Sequence, residues 1–168
     1  MAGFGFLLDV SHMDELAARQ ALDLYPGAVI ASHANASALI PGYHGNRHLS
    51  DSFIRALIGR GGIIGLIPSC RLMDYNWRKG DPRERVTLDM LAAQVDHICQ
   101  LGGSAENVGF GSDFDGGFGV ESVPAELDTI ADLHKLAPLL LAKGYNDEQV
   151  TAFFGGNWIQ FLQAYLPA

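Results

Sequence analysis

Two histidines and an aspartate stand where short apolar runs give out. His12 follows Phe4 to Val10, His33 follows Ala28 to Ala31, and Asp113 follows Asn107 to Gly111. A neutral imidazole binds zinc through one ring nitrogen at about 2.0–2.1 Å, and a carboxylate can carry protons to and from a reacting group. If the runs are parallel strands, the three side chains leave the sheet at the same rim and share one pocket. His12-Met13-Asp14 spells a His-x-Asp pair, but Asp14 is better placed to help cap a helix than to ligate. His44 and His48 flank Arg47 and read either as lining of a substrate loop or as solvated loop residues. His97 and His134 fall in helical patterns, where a structural or exposed role is expected. Asp113-x-Asp115-Gly116 lacks the later ligands of a calcium loop, and Gly109-x-Gly111 lacks the third glycine of a dinucleotide fingerprint.

The elements that must position these residues alternate strictly. After the Phe4–Val10 run, Ser11 reads as a helix N-cap with Asp14 three residues on, and the helix runs to Pro26-Gly27. Ala28–Ala31 is a second buried strand. The stretch from Asn35 to His48 is loop, punctuated by Pro41-Gly42 and Gly45-Asn46. Ser50-Asp51 opens a helix with Phe53, Ile54, Leu57 and Ile58 on its apolar side, closed by Gly59, Gly61 and Gly62. Ile63–Ile67 is a third strand, followed by a long loop from Pro68 to Glu84 in which Trp77 and Tyr75 read as packing residues. Leu88, Leu91, Val95 and Ile98 recur at helical spacing up to Gly102-Gly103. Asn107–Gly111 is the fourth strand. From Glu126 the chain reads as helical, broken at Gly144 and Gly155-Gly156, with Phe153, Phe154, Trp158 and Phe161 as helix core. Strand and helix in alternation predict an α/β fold with parallel pairing: an open doubly wound sheet or a segment of a (β/α)8 barrel. Either architecture gathers chemistry at the carboxyl ends of its strands.

Several segments resemble the renal (membrane) dipeptidase family of the amidohydrolase superfamily. They are Asp9-Val10-Ser11-His12, Val29 to Ala36, Arg47-His48-Leu49-Ser50-Asp51, Gly61 to Gly65, Val108 to Gly116, Lys143-Gly144-Tyr145 and Gly155-Gly156-Asn157-Trp158. The likeness runs in order over nearly the whole chain and covers the C-terminal half of a typical member. It implies half of a (β/α)8 TIM-like barrel, and hydrolysis of the peptide bond of dipeptides by a zinc-dependent enzyme. His12 and His33 match the ligands of the second metal of a di-zinc centre. Arg47 matches the arginine that binds the substrate carboxylate, a task suited to a planar fork. Asp113 matches the aspartate that exchanges protons with the attacking water and leaving amine. The family's first-metal His-x-Asp pair, its bridging glutamate and a further substrate histidine have no counterpart here. The chain is therefore expected to supply ligands for one zinc at most and to be incomplete in isolation. A non-catalytic half-barrel that binds or assembles is the alternative, as is another metal-dependent amidohydrolase.

Composition bounds the remaining possibilities. The 168 residues, 48% hydrophobic and 18% charged, suit a single domain spanning 1–168 with a real core. With 11 basic against 19 acidic residues and a net charge of −8, no cationic cluster exists to bind nucleic acid. No apolar stretch approaches the roughly 20 residues of a membrane helix, so no membrane association and a cytoplasmic location are expected. Cys70 and Cys99 are too few for a disulfide framework and are expected as reduced thiols. A complete (β/α)8 enzyme takes about 250 residues. Half of one leaves open edges and an apolar face, so homo-oligomerisation or completion by a missing N-terminal half is expected.

Overall fold

The third strand of the sheet, Ile63–Leu66, is buried at every residue. A parallel strand paired on both sides and covered on both faces has to be apolar throughout. The computed structural model describes residues 1–40 and 42–166, so Pro41, read above as loop punctuation, lies outside the described residues. Around that strand stand β1 (Leu8–Asp9), β2 (Val29–Ala31) and β4 (Val108–Phe110), with Ile63–Leu66 as β3; the spatial order is β1-β2-β3-β4 and every pairing is parallel. Registers such as Asp9 opposite Ile30, Ile30 opposite Ile63 and Ile64 opposite Val108 keep the strand ends level. This is half of a (β/α)8 barrel, as expected.

Helices α1 (Glu15–Leu24), α2 (Asp51–Gly59) and α4 (Leu88–Gly102) make the crossovers, with α3 (Cys70–Met73) a single turn in the long loop after β3. Phe53, Ile54 and Leu57 of α2 and Leu91, Val95 and Ile98 of α4 are fully buried, the spacing that lays one helical stripe on a sheet. Ser50 caps α2 by accepting from the Phe53 amide at 3.2 Å. Helix α4 opens at Thr87, which makes no side-chain cap; Glu126 supplies that acceptor from a distant loop, taking the Leu88 amide at 3.2 Å. After β4 come α5 (Leu136–Ala142), α6 (Asp147–Thr151) and α7 (Asn157–Tyr165).

Three expectations need correction. The strand expected over Phe4 to Val10 shrinks to Leu8–Asp9, behind a 3₁₀ turn at Ala2–Phe4, and Phe4 and Phe6 are exposed because, among the described residues, no strand pairs with that side of β1. Ser11 does not cap α1: its hydroxyl goes to Asp9, and Asp14 caps the helix by accepting from the Leu16 amide at 2.9 Å. The segment from Glu126 becomes regular only at Ile130, and then as a 3₁₀ turn over Ile130–Lys135 whose box is closed by Thr129 and Asp132. The break expected at Gly155-Gly156 is present: Gly155 has non-helical backbone angles (φ 164, ψ −23) and kinks the chain between α6 and α7.

Other readings hold. Trp77 is buried and its indole donates to the Pro82 carbonyl at 3.2 Å, pinning the long loop from inside. Tyr75 packs its ring edgewise on Tyr43 with centroids 5.4 Å apart while remaining 40% exposed. Cys70 and Cys99 are free and buried. Phe153 and Phe161 are buried, with Phe154 and Trp158 half-buried beside them.

Candidate metal and substrate site

The site is set by how the first two strands end. Beyond β1 the chain turns at Ser11-His12, with the Met13 amide bonded to the Val10 carbonyl at 3.0 Å. Beyond β2 it turns at Ser32-His33, and the Ala34 amide bonds to the Gly65 carbonyl at 2.8 Å. The two imidazoles meet there: His12 Nε2 and His33 Nε2 are 2.8 Å apart, with ring centroids at 4.8 Å. Two imidazole nitrogens converging through the same ring position are a donor set that fits zinc. Among the described residues no group of three or more His, Cys, Asp or Glu is set to hold a metal ion. The pair thus fits as two ligands of one ion, the most expected of this chain.

Beneath the imidazoles lies a network that the sequence reading passed over. Asp9 Oδ1 accepts from the Ser11 amide at 3.0 Å, the Ser11 hydroxyl at 2.7 Å and the Ser32 amide at 3.0 Å. Asp9 Oδ2 accepts the Ser32 hydroxyl. Ser32 Oγ is 2.7 Å from His33 Nδ1, and Ser11 Oγ accepts the His33 amide at 3.0 Å. One carboxylate so ties both strand ends together. Partial desolvation works to raise the Asp9 pKa, but the hydrogen bonds from Ser32 and Ser11 together outweigh it and hold the carboxyl below its ordinary value. The signal was present: each histidine is preceded directly by a serine, and the first serine follows an aspartate by two residues.

Arg47 reaches the same place from the loop after β2. Its Nη1 donates to the Ser11 carbonyl at 2.8 Å and its Nη2 to the His33 carbonyl at 2.9 Å. A guanidinium has five N–H donors, so three remain for a ligand. The Tyr43 hydroxyl accepts the Arg47 and His48 amides and holds this turn in place. Burial lowers the His33 pKa, and the Arg47 cation adds to the effect against the opposing pull of the Asp113 and Asp9 charges, so the ring is neutral at neutral pH. Desolvation also lowers the Arg47 pKa, opposed first by the charge of Asp113.

Asp113 stands beyond β4 at φ 51, a left-handed conformation that aspartate tolerates better than most residues. Its charge bears on both His33 and Arg47, and among the described residues no group donates a hydrogen bond to its carboxylate. His12, His33, Arg47 and Asp113 therefore gather at one rim of the sheet. That closeness depends on two glycines: a Cβ on Gly65 would lie 2.1 Å from the Ser32 carbonyl oxygen, and one on Gly111 only 1.8 Å. With any side chain on β3 or beyond β4 at these points, the Ser32-His33 turn could not enter.

The other histidines separate. His48 is buried, His44 is exposed, and neither joins the imidazole pair. His97 bonds to Asp51 at 2.8 Å and joins α4 to α2, while His134 is exposed. Asn35, unremarked in the sequence, is fully buried: it donates to the Ile67 carbonyl at 3.0 Å and accepts the Ile67 amide at 3.1 Å, fixing the end of β3.

Solved structures share this architecture. A metallopeptidase from Rhodobacter sphaeroides, solved with a phosphinate mimic of the dipeptide L-Ala-D-Ala, superposes with a TM-score of 0.83 over 98% of this chain and 44% of that one, at 24% identity. Residues 1–165 match the membrane dipeptidase family, peptidase family M19, and the chain belongs to that family. A protein from the pqqA 5' region of Klebsiella pneumoniae is 30% identical over 156 residues, 93% of this chain and 54% of that protein. The dipeptidase tcpJ of Claviceps purpurea is 30% identical over 170 residues, 97% of this chain and 35% of that protein. The chain thus spans about half, or less, of the relatives it matches.

Proposed function

We propose that this chain provides the zinc-ligating and substrate-anchoring half of a dipeptidase site. The observation that carries the reading is the convergence of His12, His33, Arg47 and Asp113 on one rim, from three strand ends and a loop. In this reading His12 and His33 hold a zinc ion through Nε2. Zinc held there would supply Lewis-acid chemistry, polarising a carbonyl and acidifying water toward neutral pH. Arg47, pinned through two of its N–H groups, turns the rest of its fork to the free carboxylate of a dipeptide; this selects substrates with a carboxylate one residue from the scissile bond. Asp113, with no donor among the described residues tying up its carboxylate, takes a proton from water and returns one to the leaving amine. Membership of a family of dipeptidases supports the reaction, and the donor chemistry of the imidazole pair supports zinc.

Further ligands have to come from beyond the described residues, so the reading includes the covering of the β1 and β4 edges by the remaining half of a barrel or by a second copy. Two unpaired, buried thiols go with a cytoplasmic location, which stays part of the proposal. The absence of a third ligand among the described residues favours one rival, a half-barrel that binds or assembles without catalysis. Dipeptide hydrolysis separates the two. This chain joined to the first half of the Claviceps purpurea relative and loaded with zinc is expected to release amino acids from dipeptides, and Arg47→Ala to abolish the release. A folded, zinc-loaded assembly that leaves every dipeptide intact would sink the enzymatic reading.

A further inference from the structure

Hydrogen bonds around His33 fix one distribution of protons once the Ser11 and Ser32 hydroxyls both give theirs to Asp9, which leaves their own longer contact, at 3.2 Å, without a proton. Asp9 Oδ1 already takes three donors, and Oδ2 takes only the Ser32 hydroxyl. A carboxylate at neutral pH has no proton to give, so the Ser32 hydroxyl, which has one, gives it to Asp9. The contact between Ser32 Oγ and His33 Nδ1 at 2.7 Å must then run the other way, with Nδ1–H donating. We propose that Asp9 and Ser32 are positioning residues that fix neutral His33 with its proton on Nδ1, so that Nε2 meets its partner as a bare lone pair. The inference rests on the reading of His33 as a metal ligand for its purpose, but not for its proof.

Two consequences follow from the chemistry. In the metal-free chain, the 2.8 Å contact between the two Nε2 atoms requires His12 to be the donor. His12 has no described partner on its other nitrogen, so it can exchange tautomers freely and must do so, or lose its proton, when a metal takes both nitrogens. One ligand is preset and the other adapts, the arrangement expected where a carboxylate stands behind a ligating histidine, here with a serine hydroxyl interposed.

The asymmetry of the Asp9 carboxylate makes a decisive substitution available. In Asp9→Asn the side-chain oxygen belongs at the Oδ1 position, where three donors point, which puts the NH2 group opposite Ser32 Oγ. The amide would donate to Ser32, Ser32 would donate to His33 Nδ1, and the ring would have to carry its proton on Nε2. The relay reverses polarity while its shape is kept.

The test is ¹⁵N NMR of histidine-labelled, metal-free chain near pH 8, where two-bond proton correlations show which ring nitrogen is protonated. Wild type is expected to show His33 protonated on Nδ1, Asp9→Asn to show it on Nε2, and Ser32→Ala to show a mixture. Zinc affinity should fall by roughly 10- to 100-fold in Asp9→Asn. A wild-type His33 protonated on Nε2 overturns the proposal by itself, whether or not the variants fold. So does a folded Ser32→Ala that keeps the wild-type pattern unchanged. The tautomer is read without metal or dipeptide, so failure of the dipeptidase reading would show in hydrolysis and not here.

Discussion

Acidification should weaken this fold through His48. The ring is buried, its Nδ1 has no hydrogen-bond partner among the described residues, and Arg47 stands beside it. Burial first, and the Arg47 cation second, lower its pKa from 6.5 to about 4. As pH falls below 6.5 the unfolded chain takes up a proton that the folded chain refuses until about 4, so stability is full above that window and is lost across it. At about 1.36 kcal/mol per unit the whole window is worth about 3.4 kcal/mol, of which roughly 3 kcal/mol is gone by pH 4. That is a large share of the 5–15 kcal/mol typical of a domain. His48→Gln removes the titration, and groups common to both proteins cancel in the comparison. Urea unfolding of the two at pH 7.5 and pH 4 should therefore show wild type losing about 3 kcal/mol more than the variant, with unchanged m-values. Curves that stay parallel within about 1 kcal/mol would refute the argument, as would an NMR titration of His48 with a midpoint near 6.5.

Other perturbations have equally direct outcomes. Asn157 donates to the Ala105 and Val108 carbonyls, both at 2.7 Å, from a buried position; Asn157→Ala should cost about 2–4 kcal/mol in a thermal or urea melt by leaving two acceptors unpaired. Gly111→Ala drives a Cβ into the Ser32 carbonyl and should cost about 3 kcal/mol. Gly59→Ala meets nothing within 4 Å at the end of α2 and should stabilise by roughly 0.5–1 kcal/mol, which makes it the control for the first glycine. In an assembled, zinc-loaded enzyme, Arg47→Lys should raise KM for dipeptides by about tenfold or more, because an ammonium cannot hold the Ser11 and His33 carbonyls and also a carboxylate.

The fold was legible because buried parallel strands and amphipathic helices each leave a strong period, as at Ile63–Leu66 and along α4. The rim was legible because chemistry in such folds sits where apolar runs stop. Harder to read were features decided by tertiary partners. Phe4 and Phe6 look like strand interior, yet with nothing among the described residues pairing on that side of β1 both are exposed, Phe4 at the end of a 3₁₀ turn. Ser11 has the local pattern of a cap, but the Asp9 carboxylate competes for its hydroxyl and wins, leaving Asp14 to cap α1. Glu126 caps a helix 38 residues earlier in the chain, which no local pattern can announce. Burial of His48 depends on the Tyr43 ring, 4.6 Å away and nearly edge-on.

Stability and site geometry are inseparable here. Asp9 at the end of β1 holds the backbone of Ser11 and Ser32, Arg47 holds the carbonyls of Ser11 and His33, and bare glycines within β3 and beyond β4 leave room for the Ser32 carbonyl. Each strand end thus contributes a group that fixes its neighbour's end. Loosening one tie should displace both imidazoles together, since the turn that carries His33 accepts bonds from the same arginine as the turn that carries His12. A substitution such as Gly111→Ala would then disturb the imidazole pair through the Ser32 turn, although it introduces neither charge nor ligand. The strand ends act as one frame, and the 2.8 Å meeting of His12 and His33 is its product.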